Sequence, residues 1–120
     1  MQRLAGIIQF QIDGTTYPAK GSFSYNPGIP KRDPIVGSDG VHGFKETPQV
    51  PFIEGEVTDM GHMRIADLIG VHDALATLSL ANGKTFILHG AYYAGDGTVS
   101  TEEANIGLRL EGSAGEEITA

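Results

Sequence analysis

The chain reads as a mainly β domain, a β-sandwich or barrel of about seven or eight short antiparallel strands with one flanking α-helix at about residues 61–69. Three observations predict this. Apolar residues recur with a period of two over most of the chain, hairpin dipeptides punctuate it at Asp13-Gly14, Asn82-Gly83 and Asp96-Gly97, and only one stretch changes to a helical period. The first strand sets Ile8, Phe10 and Ile12 on one face and Gln9 and Gln11 on the other. Asp13-Gly14 supplies the positive φ of a tight turn, so Thr15 to Tyr25 folds back, with Phe23 and Tyr25 opposite a Ser22 and Ser24 face. Residues 26–40 contain three prolines, three glycines and the consecutive charges Lys31, Arg32 and Asp33, and are expected to form a long loop. Two strands follow at 41–47 and 49–58; in the second, Ile53 and Val57 share one face and Phe52, Glu54 and Glu56 the other. Ile65, Leu68, Ile69 and His72 make the helical stripe, with Thr58 or Asp59 as cap and Gly70 at its end. Residues 76–80 and Lys84 to about Tyr93 form a hairpin about Asn82-Gly83, with Phe86, Leu88 and Tyr92 expected inside. Asn105 to Glu111 offers Ile106, Leu108 and Leu110 inward, and residues 113–120 are left as a C-terminal tail.

Length and charge narrow the function. The 120 residues fit a single domain, 1–120, and no apolar run approaches the ~18 to 20 residues that cross a bilayer, so no membrane partner is expected. The N-terminal apolar run is broken by Gln9 and Gln11, so no secretory signal is expected and the cytoplasm is the expected site of synthesis. Eight basic against 15 acidic side chains give a formal charge of −7, which disfavours a protein that grips phosphate backbones. The absence of cysteine removes disulfides, thiolate metal sites and cysteine nucleophiles.

The residues give no sign of an enzyme. His42, His62, His72 and His89 are too widely and irregularly spaced to put two metal ligands on one face, and Asp33 to Asp39 lacks the alternating acids of a calcium loop. Glu54 and Glu56 lie on one strand face and are the best carboxylate pair, but such pairs more often form a solvated face or discourage edge pairing. No Gly-x-Ser-x-Gly elbow and no phosphate-cradling glycine loop occurs, and no cofactor is expected.

The stretches Phe10 to Tyr17, Gly21 to Gly28, Lys31 to Asp59, Ala76 to Thr85 and Ile106 to Gly112, in that order, resemble the Mu-like phage tail tube protein family. The resemblance covers nearly the whole chain up to Gly112. It implies a non-enzymatic structural subunit of a contractile tail, similar in fold to type VI secretion tube subunits, whose hexameric rings stack into an inner tube. Such a tube lies inside a sheath and carries the genome, and its partners are its own copies, the sheath, and tape-measure and baseplate proteins. The implied location is the virion tail, assembled in the host cytoplasm. In that setting Lys31, Arg32 and Asp33 are the candidate loop reaching the adjacent ring, mobile in the free subunit and ordered on stacking. Glu54 and Glu56 are the candidate lumen-facing carboxylates, which would repel DNA phosphates so that the genome slides without binding. The alternatives are a monomeric β-sandwich module for carbohydrate or surface binding, disfavoured by the lack of tryptophan, and a small hydrolase built on Glu54 and Glu56.

Overall fold

A computed structural model describes residues 7–59, 61, 64–95, 97, 99–101 and 105–119, apart from the side chains of residues 7, 8, 21, 22 and 100. The strands are β1 Ile7–Ile12, β2 Thr15–Tyr17, β3 Ala19–Asn26, β4 Lys31–Gly37, β5 Gly40–Thr47, β6 Phe52–Thr58, β7 Ala74–Leu80, β8 Thr85–Tyr93, β9 Val99–Ser100, β10 Asn105–Glu111 and β11 Ala114–Ile118. A single helix among the described residues, α1 Ile65–Ile69, lies between β6 and β7.

Asp13 and Gly14 take φ of 49° and 83°, the left-handed pair that a two-residue hairpin requires, and Ile12 sits opposite Thr15. The return strand does not continue to Tyr25 on the same partner. Pro18 has no N–H to offer a ladder, and the chain turns a corner there. As a result β2 stays with β1, whereas β3 pairs with β6 at the other end of the sheet order β2-β1-β7-β8-β10-β6-β3. The Pro18 carbonyl accepts the Thr58 amide at 2.8 Å and ties the corner to β6. The strands thus wrap into a nearly closed antiparallel barrel.

The inward faces follow the period of two. Phe10 and Ile12, Ala76 and Leu78, Phe86 and Leu88, Ile53 and Val57, and Ile106, Leu108 and Leu110 are all buried in one cluster. Phe10 packs at 5.3 Å from Phe23 and 6.2 Å from Tyr17, so the core reaches across from β1 to the corner strands.

In four places the structure corrects the sequence expectation. The first is Tyr92, expected inside, which points outward and is 42% exposed. Gly90 adopts a φ of +62°, and the register between β7 and β8 slips by one residue, from Ala76↔Leu88 to Ala74↔Ala91. The extra residue is a β-bulge, and it shifts the buried positions from even to odd, so that Ala91 is buried and Tyr92 is not.

The second is the helix, which begins at Ile65 after Arg64, a cap residue without a side-chain cap bond. Thr58 ends β6, and Asp59 accepts the Gly61 amide at 3.0 Å in a turn of its own. Leu68 is buried, but His72 falls beyond the helix; residues 62 and 63 of the expected span lie outside the described residues.

The third is the segment 26–40, which is not a loop over most of its length. Residues Lys31–Gly37 form β4 and pair with β5 in a separate two-stranded sheet that turns through Ser38 and Asp39. The strand escapes the period-two test because all eight residues of β5 are exposed, and a hairpin without a core face has nothing to enforce alternation. The fourth is the C-terminal tail: Ala114–Ile118 forms β11, paired along β8 from His89 to Thr85. Gly115 lies so close to Pro27 that a Cβ there would stand 2.9 Å from the Pro27 Cα, which fastens β11 against the end of β3.

The hairpin gives the molecule its shape. Its extents are 61 × 39 × 28 Å and its radius of gyration is 17.1 Å, against about 14 Å for a compact chain of this length.

Gly90→Ala tests the bulge, since a Cβ would meet the left-handed φ and lie 2.6 Å from Ser113 Oγ. We expect a loss of about 1–3 kcal/mol in urea unfolding. Gly14→Ala, at φ +83° with nothing within 4 Å, should lose only the conformational part, about 1–2 kcal/mol.

Candidate assembly surfaces

The β4–β5 hairpin gathers the three charges nominated from sequence. Lys31 Nζ lies 3.7 Å from Asp33 Oδ1, the Thr47 hydroxyl donates to Asp33 Oδ2 at 3.3 Å, and Arg32 Nε lies 3.6 Å from Glu46 Oε1. The Arg32 guanidinium also sits 4.9 Å from the centre of the Phe44 ring. These exposed pairs contribute little individually, but Arg32 opposite Glu46 and Asp33 opposite Lys45 set opposite charges across the ladder and favour the observed register.

The same register puts Pro34 opposite Phe44 and, past a bulge at His42, Val36 opposite Val41. All four therefore share one face. Val36, Val41 and Phe44 are 68%, 70% and 54% exposed, an apolar surface on a two-stranded sheet that pairs with no other strand among the described residues. At the tip, His42 Nε2 lies 2.5 Å from Asp39 Oδ1 and its ring packs beside Gly37. An isolated two-stranded hairpin is marginally stable in water, so a hairpin of this kind gains from being covered.

Glu54 and Glu56 share the outer face of β6, as expected, but they work separately. Arg109, directly opposite Glu54 on β10, reaches Glu54 Oε2 with Nη1 at 2.6 Å and Glu111 Oε2 with Nε at 2.9 Å. Its guanidinium lies 4.2 Å from the centre of the Phe52 ring. Glu111 first, then Glu54, holds Arg109 still further toward its charged form. Glu56 accepts from Asn105 Nδ2 at 3.2 Å, and Asn105 Oδ1 accepts from Lys20 Nζ at 2.8 Å. The Tyr92 hydroxyl completes the row by donating to Glu111 at 3.2 Å. The two carboxylates are thus acceptors in two separate networks. A neighbouring cation also offsets much of the repulsion for which they were nominated. Arg109 was legible as outward-facing from the period of β10, but its pairing with Glu54 depends on register, which no local signal in either strand states.

A third cluster, at the seam between β3 and β11, has no local signature in either strand. Tyr25 stacks on Phe86 with ring centres 4.5 Å apart, and its hydroxyl donates a short hydrogen bond to Glu117. Lys84 Nζ lies 3.8 Å from the other Glu117 oxygen, and His89 Nε2 lies 3.5 Å from Glu116. The hydrogen bond to Glu117, with burial and the nearby negative charge adding to it, raises the Tyr25 phenol above its ordinary range.

A cleft of about 190 Å³ beside α1 is lined by Thr15 to Pro18, Arg64, Asp67, Leu68 and Ile106. Among the described residues no group of three or more His, Asp or Glu side chains is arranged to hold a metal ion.

A family model described as phage tail tube protein matches residues 1–117. Two cryo-EM structures share the fold. One is of an anti-feeding prophage cap that terminates its tube, with a TM-score of 0.65 and 15% identity over 100% of this chain and 94% of that one. The other is the sheath/tube terminator of an extracellular contractile injection system in its extended state, with a TM-score of 0.64 and 16% identity over 92% of each chain. No curated protein matches the sequence.

The seam predicts a pH dependence. Because the Tyr25 phenol is raised in the folded chain, its contribution is complete below the ordinary value of 10.0 and is lost as pH climbs through the raised value. Tyr25→Phe should cost no more than about 1 kcal/mol at neutral pH. Urea midpoints of the two proteins should converge as pH rises above 10.0.

Proposed function

Because the chain belongs to the phage tail tube protein family, we propose that it is the subunit of a tail inner tube, forming hexameric rings that stack into a conduit for genome delivery. In this reading the rings sit inside a tail sheath between tape-measure and baseplate proteins, and the tail is assembled in the host cytoplasm. The observation that carries it beyond the family is the hairpin: a paired, projecting β4–β5 ribbon with an uncovered apolar face.

The charge distribution supports contact through that ribbon. Residues 31–47 carry three basic side chains (Lys31, Arg32, Lys45) and three acidic ones (Asp33, Asp39, Glu46), which cancel. The other five basic and 12 acidic side chains leave −7 on the rest of the chain. Bodies of like charge repel, so a neutral, apolar arm is the part of the molecule best able to approach another copy. The arm reaches the adjacent ring, with Lys31, Arg32 and Asp33 at its root setting register. A binding module for carbohydrate has no comparable support, since its own work would leave the arm unexplained.

Negative-stain microscopy with light scattering should show rings or tubes at high protein concentration. Val41→Asp with Phe44→Ser should leave the far-ultraviolet dichroism and urea midpoint nearly unchanged, since both sites are exposed, and should abolish the assemblies. Hydrogen exchange over residues 26–40 should slow strongly on assembly. Exchange equally fast in both states, or a strictly monomeric protein at high concentration, would count against the proposal.

A further inference from the structure

The barrel presents two broad outer faces, and they differ in chemistry. The face made by β3, β6, β10 and the end of β8 carries Lys20, Glu54, Glu56, Arg109 and Glu111, together with the exposed ring of Tyr92. The face made by β2, β1, β7 and the first half of β8 is different. Its outward side chains are Gln9, Gln11, Thr16, Thr77, Ser79 and Thr85, with Leu75 and Ile87 among them. Gln11 stands opposite Thr77, Gln9 opposite Ser79, and Ser79 opposite Thr85, so the amides and hydroxyls form one continuous field. Both Gln9 Nε2 and Gln11 Nε2 donate to Thr16 Oγ1 at 3.2 Å, which holds the amides along the sheet.

Among the described residues, the charges near this face lie toward its edges, at Asp13 in the first turn, at the exposed Asp73 before β7, and at His89 and Glu116, where the edge strand β11 pairs with β8 and sets Glu116 opposite Ile87. That is unusual on a chain of net charge −7, because solvent-facing surfaces ordinarily intersperse charges. A nucleic acid adheres to protein through cations that replace its counterions and through aromatic or guanidinium surfaces on which bases stack. Among the described residues of β2, β1, β7 and the first half of β8 there is no lysine, arginine or outward aromatic ring, while the opposite face offers both Arg109 and Tyr92.

We infer that the amide and hydroxyl face of β2, β1, β7 and β8 lines the conduit and is the surface past which the phosphodiester chain slides. The inference rests on the ring reading above. It assigns the non-adhesive role to the absence of charge on this face and places Glu54 and Glu56 away from the lumen.

The chain has no cysteine, so a single thiol can report its own location. Ser79→Cys in the free subunit should react with both a small maleimide and a bulky polymer-linked maleimide. In assembled tubes it should keep reacting with the small reagent and become shielded from the bulky one. Reaction with the bulky reagent at the free-subunit rate, or with neither reagent, overturns the assignment while leaving the ring reading intact. An absence of rings or tubes overturns both.

The occupant is tested with Gln9→Lys tubes mixed with a short DNA duplex and nuclease. They should protect several-fold more DNA than unaltered tubes at low salt, and the gain should vanish at high salt. No gain, or the same gain from Ser24→Lys on the opposite face, overturns a lumen position for Gln9.

Discussion

The architecture depends on letting one strand serve both halves of the barrel, which a regular strand of β8's length would not do. From Thr85 to His89 the strand pairs with β7 and β11, and at Tyr92 and Tyr93 it pairs with β10. Between them Gly90 takes a left-handed conformation, the strand gains one residue against β7, and the sheet bends. Ser113 packs against that glycine and donates from Oγ and N to the His89 carbonyl at 3.1 and 2.9 Å. The bulge therefore fixes where the chain leaves β10 and enters β11, and through β11 it fixes the seam with β3.

From that bend follows a division between body and arm. The body is held by buried apolar side chains drawn from both sheet halves, with Phe10, Phe86, Leu88 and Leu110 fully buried, and needs no partner to close it. The arm has the opposite balance, being ordered by its own ladder and a few exposed ion pairs while its apolar face remains in solvent. The proposed assembly would use this arrangement, since a stable unit then carries an element whose apolar face a second copy can cover. The barrel's outer faces extend the division, since one concentrates ion pairs around Arg109 and the other is nearly without charge.

Much of this was legible in the residues. Alternation set Phe10 and Ile12 of β1 and Ile106, Leu108 and Leu110 of β10 on faces that are buried, and Asp13-Gly14 and Asn82-Gly83 located two hairpins, because burying one face of a strand forces a period of two and tight turns demand positive φ. Alternation is absent where its physical cause is missing. The arm buries neither face, so β4 carried no alternation; β11 is short and pairs at an edge with three of its five residues being Gly115, Glu116 and Glu117. Tyr92 faces outward against its period because a bulge changes the parity of a strand without changing its composition.

By itself, then, the sequence determined the mainly β class, the inward side chains of the regular strands, the absence of cysteine chemistry and the excess of negative charge. Each of these is a local or additive property of the chain. Only the tertiary structure decided that Glu54 meets Arg109, that Tyr25 meets Glu117 across 92 positions, and that Gln9, Ser79 and Thr85 lie side by side on one amide and hydroxyl face. Those are consequences of strand order and register, and register is set by the sum of core packing, bulges and corners rather than by any segment that can be read alone.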